Sequence, residues 1–167
     1  MKRILGLGVV IVSLVAVAAF GQIPAPTGDI VLKLTGAVAL QNTEGGFAFD
    51  LDMLKALPFV AYMVTDPWLG DQVYGGVRLA DLLAYVGVPA DAKTVVIVAS
   101  DEKEFPVAMK DALYYPILIA YTSDGNPIKA SKGGPLKLVY PYQIEGMEAL
   151  YAPEQWSWYV IEIRVDF

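Results

Sequence analysis

The 167 residues include no cysteine and no histidine, so the chemistry open to this chain is narrow. A thiol nucleophile, a Ser-His or Cys-His pair and any zinc site built on Cys or His are excluded. What remains is carboxylates, hydroxyls and aromatic rings. Three Trp and ten Tyr suit stacking and binding better than acid–base work. Trp68 closes the turn Thr65-Asp66-Pro67-Trp68, where a large ring is not needed for the core. Trp156 and Trp158 are two apart, as are Tyr140 and Tyr142, so each pair would share a face on a strand. Asp101 ends the most apolar strand of the chain, a position from which a carboxylate can reach a ligand. Each of these also has a plain structural role: Trp156 and Trp158 in the core, Trp68 over a turn, Asp101 as a turn cap. The Asp66/Asp71 and Glu102/Glu104 pairs read as solvated surface carboxylates, because no Asp-x-Asp-x-Asp-Gly calcium loop accompanies them.

These side chains must be positioned by the elements around them. Ile30, Leu32 and Leu34 alternate with Val31, Lys33 and Thr35, a strand pattern, and Phe47–Phe49 is a second short strand. Asp50 can cap a helix with Leu51, Leu54 and Leu57 on one face, stopped by Pro58. Phe59–Thr65 and Gln72–Arg78 read as strands, the second carrying Gly75-Gly76, a sign of a bulge or close backbone approach. Leu79, Leu82, Leu83 and Val86 have helical spacing, with Gly87 as the cap beyond. Strands are predicted over Thr94–Ala99, Phe105–Ala108, Pro116–Thr122, Leu136–Tyr140 and Trp158–Val165. Ser123-Asp124-Gly125-Asn126 is a hairpin turn, and Gln143–Gln155 has no clear period and reads as a long loop. The sum is an α+β domain, a strand-rich mixed sheet or barrel with a few short helices.

Lys2 and Arg3 precede an almost wholly apolar run, Ile4–Phe20, and Ala19-Phe20-Gly21 suits a signal peptidase. Residues 1–21 are therefore expected to be a cleaved signal peptide, against the alternative of a retained anchor. Residues 22–28 are expected to form a linker and 29–167 one domain. Cleavage would remove two cations and no acid, taking the net charge from −6 to −8. An acidic surface disfavours nucleic acid and anionic lipid as partners. No disulfide is available, so the core alone must stabilise the fold.

Four stretches carry a family resemblance. They are Phe47–Leu57; Tyr74-Gly75-Gly76-Val77-Arg78-Leu79-Ala80-Asp81-Leu82-Leu83; Ala99-Ser100-Asp101 with Pro116–Ala120 and Asp124-Gly125; and Gly134–Pro141 leading into Trp156–Ile163. Their order resembles the molybdopterin-binding domain of the sulfite oxidase superfamily. In that family's catalytic members a cysteine after the first helix ligates the metal. The resemblance puts Thr65 or a neighbour at that place, within Met63-Val64-Thr65-Asp66-Pro67-Trp68. A hydroxyl is a poor molybdenum ligand beside a soft thiolate, which argues against oxygen-atom transfer.

The chain is more similar to exported relatives that lack the cysteine, some of which resemble periplasmic pterin-binding proteins. That implies a reduced pterin as ligand and a membrane-bound enzyme of cyclic-di-GMP turnover as partner. A pterin needs a stacking face and a carboxylate for its guanidine-like edge. On this reading Thr65, Trp68, Asp101, Tyr140, Tyr142, Trp156 and Trp158 form the binding set, with no catalytic residue and no metal ligand. Two alternatives stand beside it: a molybdopterin-dependent oxidoreductase with a non-thiolate ligand, and a ligand-free interaction domain on the same fold.

Overall fold

A computed structural model describes residues 23–167; the expected signal peptide lies outside them. Among the described residues, ten strands form two five-stranded sheets. The first has the order β2 (Gly46–Asp50), β1 (Ile30–Gly36), β10 (Val160–Asp166), β5 (Thr94–Ala99), β6 (Glu104–Ala108). The second runs β3 (Phe59–Asp66), β4 (Gly70–Arg78), β7 (Leu118–Ser123), and β7 also pairs with β8 (Asn126–Pro127) and β9 (Lys137–Val139). β1 and β10 pair in parallel, Lys33 opposite Glu162, and every other pairing is antiparallel. The strand-rich α+β class read from the sequence is the observed one.

Local chemistry explains the element ends. Asp50 caps α1 (Leu51–Lys55) by accepting from the Met53 N–H at 2.8 Å. Its other carboxylate oxygen accepts from Thr27 and Gly28, so the segment read as a linker is anchored where it meets the domain. Those three N–H donors hold the Asp50 carboxyl below its ordinary value. α2 (Leu79–Val86) buries Leu79, Leu82, Leu83 and Val86, the face its spacing indicates, and ends at Gly87 with φ 69°. No helix among the described residues is long and apolar enough to cross a membrane.

Gly75 and Gly76 mark a register shift between β4 and β7, as their presence in a strand suggests. A Cβ on Gly76 would lie 2.1 Å from the Ile119 carbonyl oxygen, and backbone cannot retreat as a side chain can. Gly76→Ala is therefore expected to destabilise the protein by about 1–3 kcal/mol, as overpacking does. Thermal unfolding checks this; an unchanged midpoint would show that β4 and β7 can spread without cost.

Two expectations are corrected. α3 (Met109–Tyr114) was not anticipated, having no side-chain cap and too few residues to show a period. The segment 143–155 is not a structureless loop. It holds α4 (Met147–Leu150) and a 3-10 turn (Pro153–Gln155), and Met147 and Tyr151 anchor it in the core.

Candidate functional site

The second sheet's β3–β4 hairpin and the segment before β10 meet at one end of the molecule. Asp66, the last residue of β3, accepts from the backbone N–H groups of Trp68 and Leu69 at 2.9 and 3.0 Å. That is an Asx turn, and it fixes the loop that presents Trp68. The second Asp66 oxygen accepts from Lys137 and, at 2.7 Å, from the Tyr74 hydroxyl. Lys137 and Asp66 are both fully buried at the side chain.

Lys137 sits in a cage of rings. Its ammonium lies 4.6 Å from the Trp158 ring centroid, 5.1 Å from Tyr74 and 5.6 Å from Trp156. Such contacts between cations and aromatic faces are stabilising when water is excluded. Burial alone would raise the Asp66 carboxyl; the bonds from Lys137, Tyr74 and Trp68 outweigh it and hold the group below its ordinary value. Burial pulls the Lys137 ammonium down from its ordinary value, and Asp66 opposes this. Exclusion from water disfavours both charges, and their direct contact, with the further donors to Asp66, offsets that cost.

Above this pair lies a cavity of about 550 Å³, a size that suits a small flat ligand. Trp68, Trp156, Trp158, Phe105 and Tyr159 line it, with Asp101, Lys103 and Glu154 also on the lining. Trp68 is half exposed and meets Trp158 edge to face, centroids 6.0 Å apart. One buried pair therefore supports both walls: Asp66 holds the turn of Trp68, and Lys137 holds the ring of Trp158. Gly133, at φ 92°, lets Trp158 lie against the backbone, since a Cβ there would be 2.7 Å from the indole. Tyr159, on the lining, also adopts a positive φ of 56°. A bulky residue is rarely found there, and such strain gathers at binding sites.

Of the seven residues selected from the sequence, Trp68, Asp101, Trp156 and Trp158 line this one cavity. The strand-parity argument for the last two does not apply, because β10 begins at Val160. They converge through an extended segment instead, and Leu138 donates to the Ser157 carbonyl beside it. Asp101 reaches the cavity with its carboxylate already engaged: Lys103 bonds it at 2.9 Å and lowers its pKa. Glu154 is the carboxylate on the lining without an ion-pair partner among the described residues.

Thr65 and Tyr142 line a separate cavity of about 390 Å³, and the Thr65 hydroxyl donates to Asp71 at 2.7 Å. Tyr140 is fully buried, stacked on Tyr151 at 4.5 Å, and lines neither cavity; it is core. The Trp156 indole N–H is buried without a hydrogen-bond partner, as is the Tyr140 hydroxyl.

Sequence reasoning missed the Lys137–Asp66 pair, and it read Asp66 as a solvated carboxylate. Asp66 is instead 1% exposed. The available signal was Leu136-Lys137-Leu138-Val139-Tyr140, a lone cation inside an apolar strand, which demands a buried counter-charge.

Comparison with known proteins bears on this site. The profile of the oxidoreductase molybdopterin binding domain matches residues 40–149, which is most of the chain. The chain belongs to this family. It is 30% identical over 117 residues to a chain of Azospira oryzae provisionally named as protein-methionine-sulfoxide reductase subunit YedZ1, covering 68% of this chain and 43% of that one. It is 32% identical over 72 residues to the uncharacterised oxidoreductase YuiH of Bacillus subtilis, covering 43% of this chain and 36% of YuiH. The fold matches the sulfane dehydrogenase SoxCD of Paracoccus pantotrophus with a TM-score of 0.67 and 17% identity, over 86% of this chain and 40% of that one. The chain thus spans about two fifths of each of these relatives. It is a molybdopterin-binding, oxidoreductase-like domain with the sulfite oxidase-like fold.

The residues fit one half of the family's cofactor better than the other. The aromatic cavity suits a flat pterin ring. The metal finds no soft donor, because the chain has neither cysteine nor histidine and the Thr65 hydroxyl is engaged by Asp71. Among the described residues no three carboxylates are gathered to hold a cation.

Proposed function

We propose that this domain binds a pterin in the Trp68–Trp158 cavity and acts as a binding module, not as a molybdenum oxidoreductase. The observation that carries the reading is the pairing of an open aromatic cup with a donor set that has no thiolate for the metal. Trp68 and Trp158 supply stacking faces, and a rim carboxylate accepts N–H bonds from the guanidine-like edge. Ligand occupancy would order the half-exposed Trp68 and change the surface around it. A periplasmic location and a membrane-bound signalling partner, an enzyme of cyclic-di-GMP turnover, complete the proposal. The apolar N-terminal run and the acidic charge support an exported domain that does not bind nucleic acid.

The test is made on protein purified after expression with its own N-terminus. The denatured, oxidised supernatant is assayed for pterin fluorescence and the same sample for molybdenum. About one pterin per chain without molybdenum is the expected result. Stoichiometric molybdenum would return the protein to the oxidoreductases. A chain that carries no pterin and takes up none on titration with reduced pterins would leave the fold as a scaffold without a ligand.

A further inference from the structure

The lining of the aromatic cavity carries three charged side chains, Asp101, Lys103 and Glu154. They are not equivalent. Asp101 and Lys103 share the turn beyond β5, and the Lys103 ammonium bonds the Asp101 carboxylate at 2.9 Å. The Lys103 backbone N–H donates to the same carboxylate at 3.4 Å. Both side chains are well exposed, so the pair contributes little stability. Its consequence is chemical. The two charges cancel, and a ligand edge made of N–H donors would meet the donor Lys103 beside the acceptor Asp101.

Glu154 differs on each count. Among the described residues no cation pairs with its carboxylate. The net charge of the lining is therefore that of Glu154 alone. Its backbone lies in the 3-10 turn Pro153–Gln155, where the Gln155 N–H donates to the Ala152 carbonyl at 2.9 Å and the Trp156 N–H to the Pro153 carbonyl at 3.1 Å. Pro153 fixes φ at the start of that turn. Trp156, two residues on, is wedged among Tyr74, Tyr140 and Tyr142. A free acceptor thus stands on a rigid mount continuous with the cavity wall.

We propose that Glu154 is the specificity-determining residue of this cavity, accepting two N–H bonds from a 2-amino-4-oxopyrimidine edge while Trp68 and Trp158 hold the ring. The inference rests on the pterin reading above and narrows it. A carboxylate has two acceptor oxygens, which match two parallel N–H donors as they match a guanidinium. A 2,4-dioxo ring of the same size has a carbonyl in place of the amino group, so one carboxylate oxygen would face another oxygen. Such a ring keeps its stacking and loses its edge. A site that hydrogen-bonds a substrate N–H rejects the analogue lacking it far more strongly than an apolar pocket rejects a small change of size.

The test compares tetrahydropterin with tetrahydrolumazine, the 2-amino and 2-oxo forms of one ring. Each is titrated anaerobically into the full chain and followed by tryptophan fluorescence. The parent is expected to bind the amino form at least about tenfold more tightly, the effect of a hydrogen bond to a charged group. Glu154→Gln keeps the side-chain length but turns one acceptor into a donor. It is expected to weaken binding of the amino form about 10- to 100-fold, leave the oxo form close to its parent affinity, and so abolish the preference. Its unfolding midpoint should match that of the parent, because Glu154 is exposed. Asp101→Asn with Lys103→Gln removes the other pair as a unit and should retain the preference for the amino form.

A Glu154→Gln variant that still prefers the amino form would overturn the assignment while pterin binding stood. So would a preference lost in the Asp101/Lys103 variant instead, or a parent that binds the two forms equally. A parent that binds neither form would overturn the pterin reading itself, and this inference with it. Guanine presents the same edge, so guanosine is titrated alongside. Guanosine bound more tightly than the pterin, with the difference lost in Glu154→Gln, would uphold the role of Glu154 and replace the ring.

Discussion

Lys137→Met is expected to lower the unfolding free energy by about 3–5 kcal/mol, the range for removing one partner of a buried ion pair. The whole stability of a domain this size is about 5–15 kcal/mol, so the variant should be close to unfolding at physiological temperature. The cause is Asp66. Its carboxylate is fully buried and would keep only the Tyr74 hydroxyl and two backbone N–H groups as donors. Adding Asp66→Asn should restore most of the loss. The amide oxygen can still accept from Trp68 and Leu69, and no unpaired charge remains. Urea denaturation of the two variants and the parent decides it: equal midpoints for Lys137→Met and the parent would show that the pair contributes nothing. The same pair sets an acid limit. Asp66 titrates lower in the folded than in the unfolded chain, so its contribution is full above about pH 5. It is lost as pH falls below about 3.9 and through the folded value.

Trp68→Ala is expected to weaken pterin binding about 10- to 100-fold, because stacking on one aromatic face contributes about 1–3 kcal/mol per ring. Stability should change by about 0.5 kcal/mol or less, since the side chain is half exposed and its turn is held by Asp66 through the backbone. That separation makes Trp68 a better probe than Trp156, which is buried among Tyr74, Tyr140 and Tyr142 and whose loss would disturb the core. Titration with a reduced pterin, followed by fluorescence, measures the change. An affinity equal to that of the parent would place the ligand elsewhere.

The aromatic half of the site was legible in part: Trp68 stands in a turn where packing does not demand a ring, whereas Trp156 and Trp158 were selected on a strand parity that fails because β10 begins only at Val160. The ionic half was not. Asp66 and Lys137 are 71 residues apart, and their contact arises only when β7, itself paired with β4, also takes up β9. Periodicity found the strands and α2 because each buries one continuous face. It failed at α3 and α4, which are shorter than two turns and are fixed by single anchors such as Met109 and Met147. Asp101 stands in the turn just past β5, which ends at Ala99, and nothing in the sequence showed that Lys103 would engage its carboxylate.

The parallel pairing of β1 with β10 governs when the protein can fold. β10 lies at the centre of its sheet, between β1 and β5, so neither flank is joined to the other until Val160–Asp166 has been synthesised. A nascent chain emerging from the ribosome therefore holds its first strands without their central neighbour. High contact order of this kind slows folding, because a long loop must close before any contact rewards it. Loss of Val160–Asp166 would not trim an edge: it would part the first sheet into two separate pairs, β1 with β2 and β5 with β6.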